Sequence, residues 1–158
     1  MNFKVLCASV VIVLVEALSG CGTGKRPFLI AQVCLRNDQD VAAFEREMSS
    51  IAGVEGARFI DGSANTQKGL EAIDNPHVNK ILMSRPLVNI GFDIGEGVGV
   101  TAGNLGMPGY QVALGFSEGS NSTNAHRLAN AVVGKLAEHW RVETQSGNTG
   151  AKGMKDCN

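Results

Sequence analysis

Between Pro86 and Ser117 the hydrophobic period is two, and this limits the fold more than any other feature of the chain. Val88, Ile90, Phe92 and Ile94 alternate with Asn89, Gly91 and Asp93. Tyr110, Val112, Leu114 and Phe116 alternate in the same way with Gln111, Ala113, Gly115 and Ser117. Successive strand side chains point to opposite faces, so each run has one apolar and one polar side. Such runs belong to an antiparallel sheet buried on one face. The stretch "FLIAQVCLR", residues 28–36, is apolar almost throughout and bounded by Pro27 and Asn37. It reads as a central strand covered on both faces.

Two segments carry the helical period instead. Asn37 is a candidate N-cap, followed by Asp38 and Asp40 where the helix dipole favours acids. Val41, Phe44, Met48 and Ile51 then share one stripe, which predicts an amphipathic helix over 38–52 stopped by Gly53. Ala125, Leu128, Ala129, Val132 and Leu136 form a second stripe behind a cap at Asn121 or Ser122. Residues 56–62 read as a short strand, and Trp140, Val142 and Thr144 alternate as a closing one. Leu70 and Ile73 suggest one or two helical turns, and Asn75-Pro76 opens a further helical segment, "HVNKILM". "GEGVGVTAGNLGMPG", residues 95–109, is either a long loop or holds an extra short strand at Val98 to Thr101.

The expected fold class is therefore α+β: an antiparallel sheet with two main helices on one face. The element order suggests a ferredoxin-like split βαβ arrangement with an insert, its β-α-β halves being residues 28–61 and 110–144. Residues 28–145 form one domain on this reading. The ending "QSGNTGAKGMKDCN" is polar and glycine-rich, so residues 146–158 are expected to be a flexible tail.

The start of the chain speaks to location. A basic start at Lys4 precedes an apolar run from Val5 to Val15, which breaks at Glu16. A spanning helix needs roughly 20 apolar residues, so this order suits a secretory signal over residues 1–20. Leu18-Ser19-Gly20-Cys21 closes it and resembles the lipobox of bacterial lipoprotein precursors. The resemblance implies cleavage before Cys21, lipidation of Cys21 (thioether diacylglyceryl and an acyl chain such as palmitate), and a tether over residues 21–27. Gly22 in place of an aspartate implies sorting to the outer membrane, with the domain facing the periplasm. An ordinary signal with a coincidental cysteine and a retained N-terminal anchor are the other readings.

Losing residues 1–20 removes one base, Lys4, and one acid, Glu16, so the net charge of −1 is unchanged. Nucleic-acid binding demands a basic face, so no nucleic acid is expected as a partner. Once Cys7 is removed and Cys21 acylated, Cys34 and Cys157 are the remaining thiols. Export exposes them to an oxidising compartment, which makes them a candidate disulfide. The competing reading leaves Cys34 an inert buried thiol and Cys157 a free one.

Reaction chemistry is hard to find. "GEGVGVTAG" lacks the Lys-Ser/Thr of a phosphate loop and opens no helix. Asp93, Glu96 and Glu118 are a candidate carboxylate group, useful for acid–base work only if burial raises one pKa. His77, His126 and His139 are scattered and show no metal-ligand spacing; no nucleophile motif occurs, and neither cofactor nor metal is expected. The leading expectation is a membrane-anchored, non-catalytic binding or assembly module for another envelope protein or cell-wall component. A small envelope hydrolase using those carboxylates, or an inhibitor or immunity-type protein, are the alternatives.

Overall fold

A computed structural model describes residues 26–157 except 74, 78, 79 and 81–83. Cys21, the signal segment, most of the tether and most of "HVNKILM" lie outside the described residues. Six strands form one antiparallel sheet: β1 (Leu29–Cys34), β2 (Ile60–Asp61), β3 (Asn89–Asp93), β4 (Val98–Gly103), β5 (Gln111–Glu118) and β6 (Arg141–Ser146). Their spatial order is β2-β3-β4-β5-β1-β6. Three helices are described: α1 (Asp38–Val54), α2 (Ser63–Glu71) and α3 (Ser122–Ala137). The class is α+β.

The register shows why the period-two runs pair as they do. Ala31 lies opposite Leu114, Val33 opposite Val112, and Val100 opposite Phe116. Phe92 continues the row opposite Val100. These residues are at most 2 % exposed and share one core with Val41, Phe44 and Met48 of α1 and Leu128, Val132 and Leu136 of α3. The two long helices thus bury one face of the sheet, as their stripes require.

Sheet order corrects part of the expected topology. β5, α3 and β6 do form a split unit, with β1 inserted between the two strands. Residues 28–61 do not form its counterpart. β2 is a two-residue strand at the far edge, paired to β3 and separated from β1 by three strands. The strand two places from β1 is β4, inside the glycine-rich segment. Of the two readings of residues 95–109, the strand holds, and it runs to Gly103.

Helix ends follow local chemistry. The Asn37 carboxamide oxygen accepts from the Asp40 backbone N–H at 3.0 Å, which caps α1. The Asp40 carboxylate accepts from Arg36 three times: its backbone N–H, its Nε at 2.6 Å and its second terminal nitrogen at 3.0 Å. Those hydrogen bonds hold Asp40 below the ordinary carboxylate range, against the opposing effect of its burial. A depressed folded pKa stabilises the fold above the unfolded value near 4 and ceases to do so as pH falls through the folded value. Asp40→Asn should therefore lower the urea midpoint at pH 7 and flatten its decline below pH 4; parallel acid limbs in variant and wild type would contradict this.

At the other end, Gly53 does not stop α1. The helix runs to Val54, and Gly56 adopts φ 67° one residue past the Glu55 cap. Gly56 N–H bonds to Gly53 O at 3.1 Å and Ala57 N–H to Ala52 O at 2.8 Å, the paired closure of a Schellman motif. Gly56→Ala is expected to cost about 1–2 kcal/mol through left-handed strain, measured by chemical denaturation. Glu55 also reaches α3, accepting from both terminal nitrogens of Arg127 at 2.7 and 2.9 Å.

Candidate functional site

Residues 147–157 turn the chain back over the second face of the sheet. Alternation along β1 puts Ile30, Gln32 and Cys34 on that face, away from the helices. Their register partners, Gly115, Ala113 and Gln111 on β5 and Gln145, Glu143 and Arg141 on β6, share it. After β6 comes a short 3-10 turn, Gly147–Thr149. There Gly147 N–H donates to Phe28 O at 3.1 Å. A Cβ at position 147 would lie 1.6 Å from Pro27 O, so only glycine allows the chain to pass this closely.

From that turn the segment runs back along β1 and is fastened at four places. Gln145 Nε2 donates to Gly150 O, and a terminal nitrogen of Arg141 donates to Lys155 O. Gln111 makes three contacts: Oε1 accepts from Met154 N–H at 2.7 Å, and Nε2 donates to Met154 O at 3.3 Å and Cys157 O at 3.2 Å. Cys157 is disulfide-bonded to Cys34, with their Cα atoms 5.6 Å apart. Met154 and Cys157 are each 5 % exposed. The segment expected to be a flexible tail is instead a docked strap through its described part. The physical reason is covalent, since a bridge to β1 restrains a stretch that has only Met154 and Cys157 to bury.

The strap makes this face polar and covered rather than polar and wet. Gln111, which alternation alone assigns to solvent, is 1 % exposed. Gln32 is 4 % exposed, and its Nε2 has no hydrogen-bond partner among the described residues. Sequence reasoning missed both. The available signal was Gln32 itself, the one side-chain amide inside an otherwise apolar strand.

The predicted carboxylates gather near one turn but are not buried. Asp93 accepts from Gly95 N–H at 2.6 Å and so serves the β3–β4 turn. Glu96 is exposed in that turn at φ 57°, and its carbonyl accepts from Ser120 N–H at 3.1 Å. Glu118, opposite Val98 in the ladder, is exposed as well. A Cβ at Gly119 would lie 2.2 Å from Glu96 O, so this corner requires glycine to close. The arrangement gives the Asp93 carboxylate a structural duty in the turn and leaves those of Glu96 and Glu118 exposed.

The histidines are apart. His126 is exposed on α3 with its ring edge-on to Phe28 at 4.7 Å. His139 stands 5.5 Å from the Trp140 ring, and His77 is exposed, its backbone N–H donating to the Asn75 side chain at 2.9 Å. Among the described residues no group of three His, Cys, Asp or Glu side chains is placed to hold a metal ion. Also among them, no helix is long and apolar enough to cross a membrane. Comparison with known proteins gives no matching family model, no matching curated protein and no matching solved structure.

Proposed function

We propose that the chain is a lipid-anchored envelope protein whose α+β domain acts as a non-catalytic binding or assembly module. The observation that carries the location is the order of the first 21 residues, in which a short apolar run ends at Leu18-Ser19-Gly20-Cys21. A disulfide between Cys34 and Cys157 suits the same reading, because such bonds persist in oxidising compartments. Two or three acyl chains at about 0.8 kcal/mol per buried methylene supply firm attachment, and a net charge of −1 offers no polybasic alternative.

The anchor would also set the domain's distance from the bilayer. Seven Cα-to-Cα steps separate Cys21 from Phe28. At about 3.5 Å each they span at most about 25 Å, so the sheet end bearing Phe28 and Gly147 stays close to the membrane. The binding reading is supported by the site just described. Gln32 and Gln111 place two buried amides on the strapped sheet face, whereas Asp93 is half-buried and Glu96 and Glu118 are exposed.

Cys21→Ser is expected to yield an uncut precursor or release the protein from membranes. Intact mass spectrometry of the membrane fraction checks this, and an unmodified mature N-terminus on the wild-type chain would overturn the anchor. Cross-linking in native membranes tests the binding role separately: a discrete partner is expected, and its absence at native abundance argues against a module.

A further inference from the structure

We propose that the sheet face around Gln32 and Gln111 is a binding site for a peptide segment of another protein that turns over Gln111, occupied here by the chain's own C-terminal strap. The proposal rests on the binding-module reading and names its site, but does not depend on the lipid anchor.

Gln111 engages the strap through backbone alone. Its carboxamide accepts the N–H of Met154 and donates to the carbonyls of Met154 and Cys157. The segment it holds turns at Lys155 and Asp156, with Asp156 at φ 59°, and a buried side-chain amide that pairs with both polarities of a peptide group holds such a segment by its backbone with little regard to side chains. Selectivity is left to one apolar anchor, the position taken by Met154, which is 5 % exposed.

Gln32 shows that the strap is an incomplete occupant. Its register partners are Ala113 and Glu143, so it lies among the fastening points at Gln145, Gln111, Arg141 and Cys34. It is buried to 4 % exposure, yet its Nε2 finds no acceptor among the described residues. Covering a donor without pairing it costs free energy, and a segment that set a carbonyl over Gln32 would recover that loss. Asn148 to Gly153 are all exposed, so the strap's middle contributes little apolar burial. The covalent bond, more than complementarity, keeps it in place.

Exchange requires that bond to open. A dithiol reductant does so by thiol–disulfide exchange. One thiolate attacks a sulfur of the Cys34–Cys157 pair, the other cysteine leaves as thiolate, and the second thiol resolves the mixed disulfide. The dithiol gives up two electrons and two protons and becomes a disulfide; both cysteines end as thiols.

The test uses the full-length Cys34→Ser/Cys157→Ser chain beside the oxidised wild type, with wild type in excess dithiothreitol as a second unlatched state. The probes are a displayed library of nine-residue peptides and a synthetic peptide of residues 150–157 carrying Cys157→Ser. Selected peptides are expected to bind the unlatched chain at least about tenfold more tightly than the oxidised one. Gln32→Leu should weaken those peptides at least about tenfold, while the strap peptide binds as before or more tightly. A merely structural strap predicts otherwise. An empty selection, peptides indifferent to Gln32→Leu, equal binding to the oxidised chain, or loss of the folded state in both unlatched forms would each overturn the proposal. None of these results bears on the cross-linking test, so the two readings fail separately.

Discussion

Phe116→Ala is expected to remove about 3–5 kcal/mol of stability, the largest effect of any single substitution considered for this chain. Phe116 is fully buried at the middle of the sheet, opposite Leu29 on β1 and Val100 on β4. It belongs to the core that the stripes of α1 and α3 close over, so its removal leaves a void bounded on several sides. A rigid β-ladder cannot collapse into such a void as a loop would, which places the cost toward the upper end. Domains of this size are stable by about 5–15 kcal/mol, so the variant would lose a large share of its margin. Urea denaturation with the disulfide intact measures it. Val54→Ala is the control: Val54 is 84 % exposed, and its truncation should change stability by no more than about 0.5 kcal/mol. Similar midpoints for the two variants would show that the core has been misplaced.

The core was legible because periodicity reports it directly. The stripes Val41, Phe44, Met48 and Ala125, Leu128, Val132 are buried, and the apolar members of β3 and β5 face them. Burial of β1 on both faces was legible too, from a run that is apolar except at Gln32. Pairing was not. A strand pattern records which side chains turn inward but not which neighbour supplies the hydrogen bonds, so residues 56–62 could be read as a partner of β1 although β2 pairs at the far edge. β4 was ambiguous for a different reason: Gly99 and Gly103 replace the polar half of its alternation, which leaves Val98, Val100 and Ala102 without contrast.

The candidate site was half legible. Cysteine counting brings Cys34 and Cys157 together, because the reading of residues 1–21 as a lipoprotein signal sets Cys7 and Cys21 aside. Gln111 and Gln32 could not be found that way. Their burial depends on a strap that returns across 43 and more residues of chain, a non-local contact with no periodic signature. The carboxylates show the converse. Asp93, Glu96 and Glu118 do converge at one end of the sheet, where Asp93 takes a backbone donor and Glu96 and Glu118 are exposed.

Opening the Cys34–Cys157 bridge should lower global stability by about 2–4 kcal/mol, and should loosen the strap well before the domain unfolds. The bridge joins residues 123 apart, a closure that by chain entropy alone would disfavour the unfolded state by about 4–5 kcal/mol. The full amount is not expected. Once the bridge is gone, the strap regains freedom in the folded state as well, and that entropy offsets part of what the unfolded chain gains. The two effects separate experimentally. Urea midpoints of oxidised wild type and Cys34→Ser/Cys157→Ser report the global term. Limited trypsin digestion in the absence of denaturant reports the local one, since Lys152 and Lys155 lie in the strap and are exposed. In the oxidised chain, cleavage there requires the strap to rise against four fastenings, one of them covalent. In the serine variant only hydrogen bonds and Met154 remain, so cutting at these lysines should precede loss of the domain's circular dichroism. Equal cleavage rates in the two chains would mean that backbone contacts to Gln111 hold the strap unaided, and the bridge would then act on the unfolded chain alone.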